Sequence, residues 1–342
     1  MKTNIWKKLL AIGVLLSLGS AASAQESLTL KVTLFSPPPA PQNVLLRNID
    51  EKLRAETGGR LKLQLFEASQ MGPPTRQFDL VRTRVADMSF VLLGLTPGRF
   101  DLAQISEMPG VVGPGITGEA ARRAATAVLN LSDKHLRNEF SGTKLLNFAL
   151  IPNPLVFTAR KIDKLEQFQG LRIRHPGANH ARLVKDLGAV PVLLNPLEIS
   201  EALSRGQVDG ALTSYSAVDS WNLQDVIKHG LEIDSGALAF ALVINQATLD
   251  SMPKDLRVVF DRYFGPANQS VWATFMGNAE EQLRKKYLSR GIEARRLSPD
   301  QEAKFNEISA ASREKALAEL EGRGLKARDF YTDLRKSIEA LR

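Results

Sequence analysis

Leu28-Thr29-Leu30-Lys31-Val32-Thr33-Leu34 alternates apolar and polar side chains, the period of a strand with one buried face. Pro37-Pro38-Pro39 cannot continue that ladder and makes a stiff loop. Residues from about Gln42 to Glu56 then read as a helix, stopped by Gly58-Gly59. Leu61 to Phe66 alternates again, Pro73-Pro74 opens a second helix running to about Arg84, and Asp87 to Leu93 reads as a third strand. Strand, helix, strand, helix, strand at this spacing implies right-handed crossovers and a largely parallel sheet.

The pattern continues outward from this block. After a long helical stretch at about 118–140, strands are expected at Lys144–Leu150, Leu155–Ala159, Leu171–His175, Val190–Leu194, Gly210–Thr213 and Ala239–Asn245. Helices at about 179–187 and 196–204 separate some of them, and from Pro253 the chain is nearly all helical with one break near 291–298. Two α/β lobes with long C-terminal helices account for this order. Upstream, Lys2, Lys7 and Lys8 precede an apolar run from Leu9 to Leu18, and Ala22-Ser23-Ala24 fits a cleavage site. Residues 1–24 therefore read as a signal peptide, and the run is shorter than the ~20 residues a membrane span needs. A mature chain beginning at Gln25 and exported to the periplasm is the expectation.

The absence of Cys removes disulfide partners and thiolate metal sites, so a 44% hydrophobic composition has to supply stability by burial. The formal charge of +8 falls to +5 without the three leader lysines. The remaining cations are scattered among acids, as in Glu280-Glu281-Gln282-Leu283-Arg284-Lys285-Lys286, which reads as a solvated helix face and argues against nucleic acid. A mildly positive field favours encounter with anions.

Gly113-Pro114-Gly115-Ile116-Thr117-Gly118 matches G-x-G-x-x-G, but Pro109 interrupts the strand that should precede a dinucleotide fingerprint, and no acid follows at the required distance. His135, His175, His180 and His229 make no metal-binding pair, and no G-x-S-x-G elbow occurs. Neither catalysis nor a cofactor or metal is expected. In Gly170-Leu171-Arg172-Ile173-Arg174-His175-Pro176, both arginines lie on one strand face, opposite Leu171 and Ile173. Arg174 sits at the strand's carboxyl end, where ligands bind in open α/β sheets, and a guanidinium there can grip a carboxylate with two parallel hydrogen bonds.

With these residues in place the chain resembles the substrate-binding proteins of TRAP transporters, the DctP-like group. The resemblance rests on Thr57-Gly58-Gly59-Arg60-Leu61-Lys62-Leu63 with Phe66 and Gln70-Met71-Gly72, and on Phe168-Gln169-Gly170-Leu171-Arg172-Ile173-Arg174. It continues through Leu187-Gly188-Ala189, Glu198, Ala202-Leu203, Gly206 and Val208-Asp209-Gly210, and ends with Val243-Ile244-Asn245, Leu249 and Met252-Pro253. It implies an α/β fold: a two-lobe periplasmic-binding-protein clamp with interwoven chain and long C-terminal helices. Lobe I would take 25–151 and 239–278, and lobe II 152–238 and 279–342. It also implies that Arg174 binds the carboxylate of a small organic anion, which a monomeric protein hands to TRAP permease membrane subunits. The same clamp could instead present its ligand to a membrane receptor or histidine kinase.

Departures from the family pattern sharpen the expected ligand. Pro154 stands where members that bind sugar acids or dicarboxylates often carry a second arginine, Thr213 where an Asn is frequent, and Val91 and Leu92 where some relatives place an acid. Each change removes a hydrogen-bonding group, and an unpartnered buried polar group costs roughly 1–3 kcal/mol. A monocarboxylate with an apolar or aromatic body is expected. Phe90, Leu92, Tyr215 and Trp221 are candidates to line its site, with Gln70, Pro154 and Thr213 as further candidate positions.

Overall fold

Following the chain from β1 (Leu28–Thr33) shows how each lobe is assembled from discontinuous pieces. The structure is a computed structural model that describes residues 26–113 and 118–341. The expected signal peptide at 1–24 and residues 114–117 of the glycine-rich match lie outside them. From β1 the chain runs through α1 (Pro41–Thr57), β2 (Leu61–Phe66), α2 (Gln77–Arg82), β3 (Met88–Leu92), α3 (Gly118–His135) and β4 (Thr143–Pro152). It then enters a second sheet through β5 (Leu155–Thr158), β6 (Arg172–His175), α4 (Ala178–Asp186), β7 (Val190–Leu193), α5 (Ile199–Ser204), β8 (Gly210–Thr213), α6 (Tyr215–Ser220) and β9 (His229–Glu232). Returning, it forms β10 (Ala237–Asn245), α7 (Gln246–Asp250), α8 (Lys254–Phe264), α9 (Gln269–Ser289), β11 (Glu293–Arg296), α10 (Pro299–Gly322) and α11 (Ala327–Ala340).

The first sheet has the order β2-β1-β3-β10-β4 and the second β11-β9-β5-β8-β6-β7. Each is mixed rather than parallel throughout. β10 runs antiparallel to β3 and β4, and β5 runs antiparallel to β8 and β9. The reversed strands are those by which the chain enters a lobe from the other one. The parallel βαβ logic of the opening block cannot apply to a strand that arrives from outside. Two further strands, β9 and β11, pair in parallel with each other at one edge of the second sheet. They fall where the sequence shows only a helical break or no pattern.

Packing in lobe I follows from the alternation along β10. Ala237, Ala239 and Ala241 face the alanine-rich side of α3, where Ala121, Ala124 and Ala125 let helix and sheet approach closely. Leu238, Phe240, Leu242 and Ile244 fill the opposite face with Leu46, Ile49 and Phe260 from α1 and α8. Lobe II likewise has two faces. Ile173, Leu212, Leu183 and Val184 form one, and Phe157, Tyr215 and Tyr287 the other.

The chain passes between lobes four times. α9 carries Trp272 and Met276 in the lobe I core and Tyr287 in the lobe II core, a rod of about 30 Å. α10 places Phe305 in lobe II, then Ala316 and Leu317 in lobe I. The boundary that assigns all of 279–342 to lobe II does not hold for the last helix. Phe330, Leu334 and Ile338 of α11 pack into the lobe I core. Their i, i+4, i+8 spacing announces a buried stripe without saying which lobe covers it.

The two extended crossings, 152–154 and 233–236, are tied together. The Asn153 N–H donates to the Gly236 carbonyl at 2.6 Å, and the Ser235 hydroxyl donates to the Pro154 carbonyl at 2.5 Å. Gly236 has φ +96°, and a Cβ there would lie 1.9 Å from the Glu107 carbonyl oxygen, so only glycine fits this hinge.

Candidate functional site

Parallel pairing of β6 with β8 and β7 brings three strand carboxyl ends to one edge of lobe II. Arg174 lies there, 2% exposed. Its Nε donates to the Leu194 carbonyl and its Nη1 to the Leu212 carbonyl, both at 3.1 Å, and its buried Nη2 meets no acceptor among the described residues. Burial pulls the guanidinium down to about 9, which leaves it protonated at neutral pH. Two residues earlier, Arg172 is exposed and doubly bonded to Asp209 at 3.0 and 3.1 Å. One arginine of the pair is thus neutralised by the protein and the other is not.

Next to Arg174, Thr213 ends β8 and the chain turns directly into α6. The Ser214 hydroxyl caps that helix by accepting from the Ala217 N–H at 3.2 Å. Buried Glu280 reaches across from α9 and accepts from the N–H groups of Tyr215 and Ser216. Desolvation raises the Glu280 pKa, and those two backbone bonds oppose the rise. α6 is thereby held by a helix that belongs to both lobes.

Arg174, Pro176, Pro196, Thr213, Ser214, Ser216, Ala217, Ser220 and Trp221 of lobe II face Phe35, Pro41, Gln42, Leu92, Ile151, Leu238 and Phe240 of lobe I across a cleft. It encloses about 460 Å³ including its mouth. Arg174 is the one charged residue among the described residues that line it. Trp221 lies parallel to Phe35 with ring centroids 6.2 Å apart, so the lobes meet over the cleft through stacked rings. They also meet backbone to backbone. A Cβ on Gly94 would lie 2.6 Å from the Pro176 carbonyl oxygen, and one on Gly177 would lie 2.7 Å from the Gly94 Cα.

Of the residues singled out from sequence, the fold gathers Arg174, Thr213, Leu92 and Trp221 in this cleft. Phe90 lies behind it, stacked between Phe240 and Trp272 at 5.0 and 6.1 Å. Tyr215 turns away into the lobe II core, edge-on to Phe157 at 5.2 Å. Pro154 belongs to the hinge, where its carbonyl holds Ser235, and Gln70 is exposed on the loop after β2. Phe35, Gln42, Ser216, Ser220 and Phe240 escape the sequence reading. Phe35 and the serines follow strand carboxyl ends, so the rule that singles out Arg174 also covers them. Gln42 and Phe240 need the long-range pairing of the lobes.

Behind Arg174, His175 and His180 are buried, and the His175 ring nitrogen Nδ1 contacts the Gly177 carbonyl at 2.9 Å. Burial is the main cause that lowers His175 to about 4 and His180 to about 3. Unfolded, both take up a proton near 6.5; folded, they refuse it until much lower pH, so their contribution to stability is lost as pH falls below 6.5. Glu107 and Glu139, raised to about 8 and 7 by burial, oppose this, because lower pH favours their protonated folded form. The clean expectation is a difference. His180→Leu should gain stability relative to the wild type progressively between pH 6.5 and 4.5, by urea unfolding at each pH. A constant offset would contradict the assignment.

Two lobes hinged by extended crossings and closed on a cleft with one unpaired buried cation define the clamp of a periplasmic binding protein. The chain belongs to the bacterial extracellular solute-binding proteins, family 7, the DctP family, whose model matches residues 36–320. A solute-binding protein of Albidiferax ferrireducens is 26% identical over 216 residues, 62% of this chain and 63% of that relative's length. A TRAP solute-binding protein from Rhodoferax ferrireducens T118, solved with copurified benzoate, superposes with a TM-score of 0.85 at 23% identity over 92% of this chain and 98% of its own. A marine metagenome TRAP protein specific for aromatic acid ligands, solved with 3-hydroxybenzoate, gives 0.85 at 23% over 93% and 99%. Among the described residues no helix is long and apolar enough to cross a membrane.

Proposed function

We propose that this protein captures a small monocarboxylate with an apolar or aromatic body in the periplasm and delivers it, unchanged, to a TRAP-type membrane permease. One observation carries the reading: among the described residues, a fully buried guanidinium has an unpartnered Nη2 in a cleft that no other charged residue lines. A carboxylate supplies the missing acceptors and neutralises the buried cation. A second carboxylate would find no cation among the described residues, and the many hydroxyls of a sugar acid would outnumber the neutral polar groups of the cleft, leaving several against Phe35, Leu92, Ile151, Leu238 and Phe240. The benzoate and 3-hydroxybenzoate held by the two structural neighbours support this ligand class.

The mechanism is closure. With the lobes apart, Arg174 is open to an anion arriving from solvent. A ligand held by Arg174 on lobe II and by the apolar wall of lobe I makes both sets of contacts only when the lobes are together. It shifts the equilibrium toward the closed form by that difference in affinity. The closed shape is then what a permease distinguishes from the empty clamp.

Calorimetric titration with benzoate, phenylacetate, mandelate, succinate and sialic acid tests the ligand class. The aryl monocarboxylates are expected to bind at least a hundredfold tighter than the dicarboxylate or the sugar acid. Tight binding of succinate or sialic acid, with no response to any aryl acid, would overturn the reading.

A further inference from the structure

The cleft carries more hydrogen-bonding capacity than one carboxylate uses, and the surplus lies along α6. Ser216, Ala217, Ser220 and Trp221 all line it, positions that share one face of a helix, so α6 runs lengthwise along the cleft wall. Six helical residues advance the backbone by about 9 Å, which places Trp221 well beyond the Thr213 and Arg174 end. At this far position the Trp221 indole N–H is buried and has no acceptor among the described residues. Gln42, 6% exposed in the first turn of α1, faces the same cleft from lobe I, and its side-chain amide forms no hydrogen bond among the described residues. A buried donor without an acceptor, as at Trp221, is uncommon and calls for a partner.

The chemistry of this partner is constrained. An indole N–H only donates, whereas a glutamine amide and a serine hydroxyl both donate and accept. With Arg174 the one charged residue among the described residues that line the cleft, these groups would leave a second carboxylate or an ammonium uncompensated. A hydroxyl fits best, because it accepts from Trp221 and donates to Gln42 or Ser220. We infer that Gln42, Ser220 and Trp221 form a second, neutral subsite for a hydroxyl on the end of the acid remote from Arg174. The ligand class is thereby a hydroxylated aryl monocarboxylate. This inference rests on the carboxylate reading above, and it fails separately from it.

The test is a matched series: phenylacetate and its 2-, 3- and 4-hydroxy derivatives, titrated into the full-length protein, Gln42→Leu and Trp221→Phe. Phenylalanine keeps the ring against Phe35 and removes only the N–H, while Gln42→Leu probes the same subsite from the other lobe should the tryptophan variant misfold. At least one hydroxy isomer is expected to bind the wild type tenfold or more tighter than phenylacetate, with the ratio falling toward one in both variants. Phenylacetate binding with no isomer gaining more than twofold, or with a gain that survives both substitutions, overturns the subsite and leaves the carboxylate reading standing. Failure of the whole series to bind overturns both.

Discussion

Replacing Arg174 with methionine should abolish binding of aryl monocarboxylates and, at the same time, favour the closed form of the empty clamp. The two effects have one source. In the closed form the guanidinium is buried, satisfied in part by the Leu194 and Leu212 carbonyls, and faces no carboxylate. A buried ion without a counter-ion costs several kcal/mol, and an apolar side chain of similar volume avoids that cost. In the open form the guanidinium is solvated, so the penalty falls on closure alone. Binding should weaken at least a hundredfold, about 3 kcal/mol. Small-angle scattering of the ligand-free variant and calorimetric titration measure the two halves. An affinity loss under threefold would remove Arg174 from the site, and an empty variant as open as the wild type would mean that the protein itself already balances the charge in the closed form.

The second large effect concerns closure. Gly94→Ala puts a methyl group 2.6 Å from the Pro176 carbonyl oxygen and 3.1 Å from the Gly177 Cα, backbone atoms that cannot swing aside. Its φ is not in the left-handed region, so alanine is tolerated whenever the lobes are apart. The variant should therefore fold with ligand-free stability within about 0.5 kcal/mol of the wild type, as for a surface change. It should nonetheless bind its acid at least tenfold more weakly, because the closed form is obstructed. Small-angle scattering should show the wild type contracting with ligand and the variant not. Wild-type affinity in the variant would place the Gly94–Gly177 contact outside the closing motion. Gly236→Ala makes a useful contrast: positive φ and a 1.9 Å clash inside the hinge predict loss of folding, not of closure alone.

Much of the clamp is legible from local pattern. The alternation in β1 and β2, the buried run of β10 and the Gly170–Pro176 segment each state their own structure. Arg174 is legible because its place at a strand end combines with a side chain suited to carboxylates. What escapes is set by distant partners. β9, His229–Glu232, and β11, Glu293–Arg296, are short and polar; pairing with β5 and β11 makes the first a strand, and pairing with β9 makes the second one. Tyr215 looks like a cleft residue beside Thr213 and Ser214. The helix that Glu280 caps rotates its ring into the core and presents Ser216 and Ser220 in its place. The apposition of Phe35 with Trp221 joins residues of different lobes, and no local period encodes it.

A crystal structure with the tightest acid from the titration series tests the central claim most directly. The account predicts closed lobes with both carboxylate oxygens on the Arg174 guanidinium, about 2.7–2.9 Å from its nitrogens, Nη2 among them. A ligand bound elsewhere, with Arg174 still bonded only to the Leu194 and Leu212 carbonyls, would contradict it.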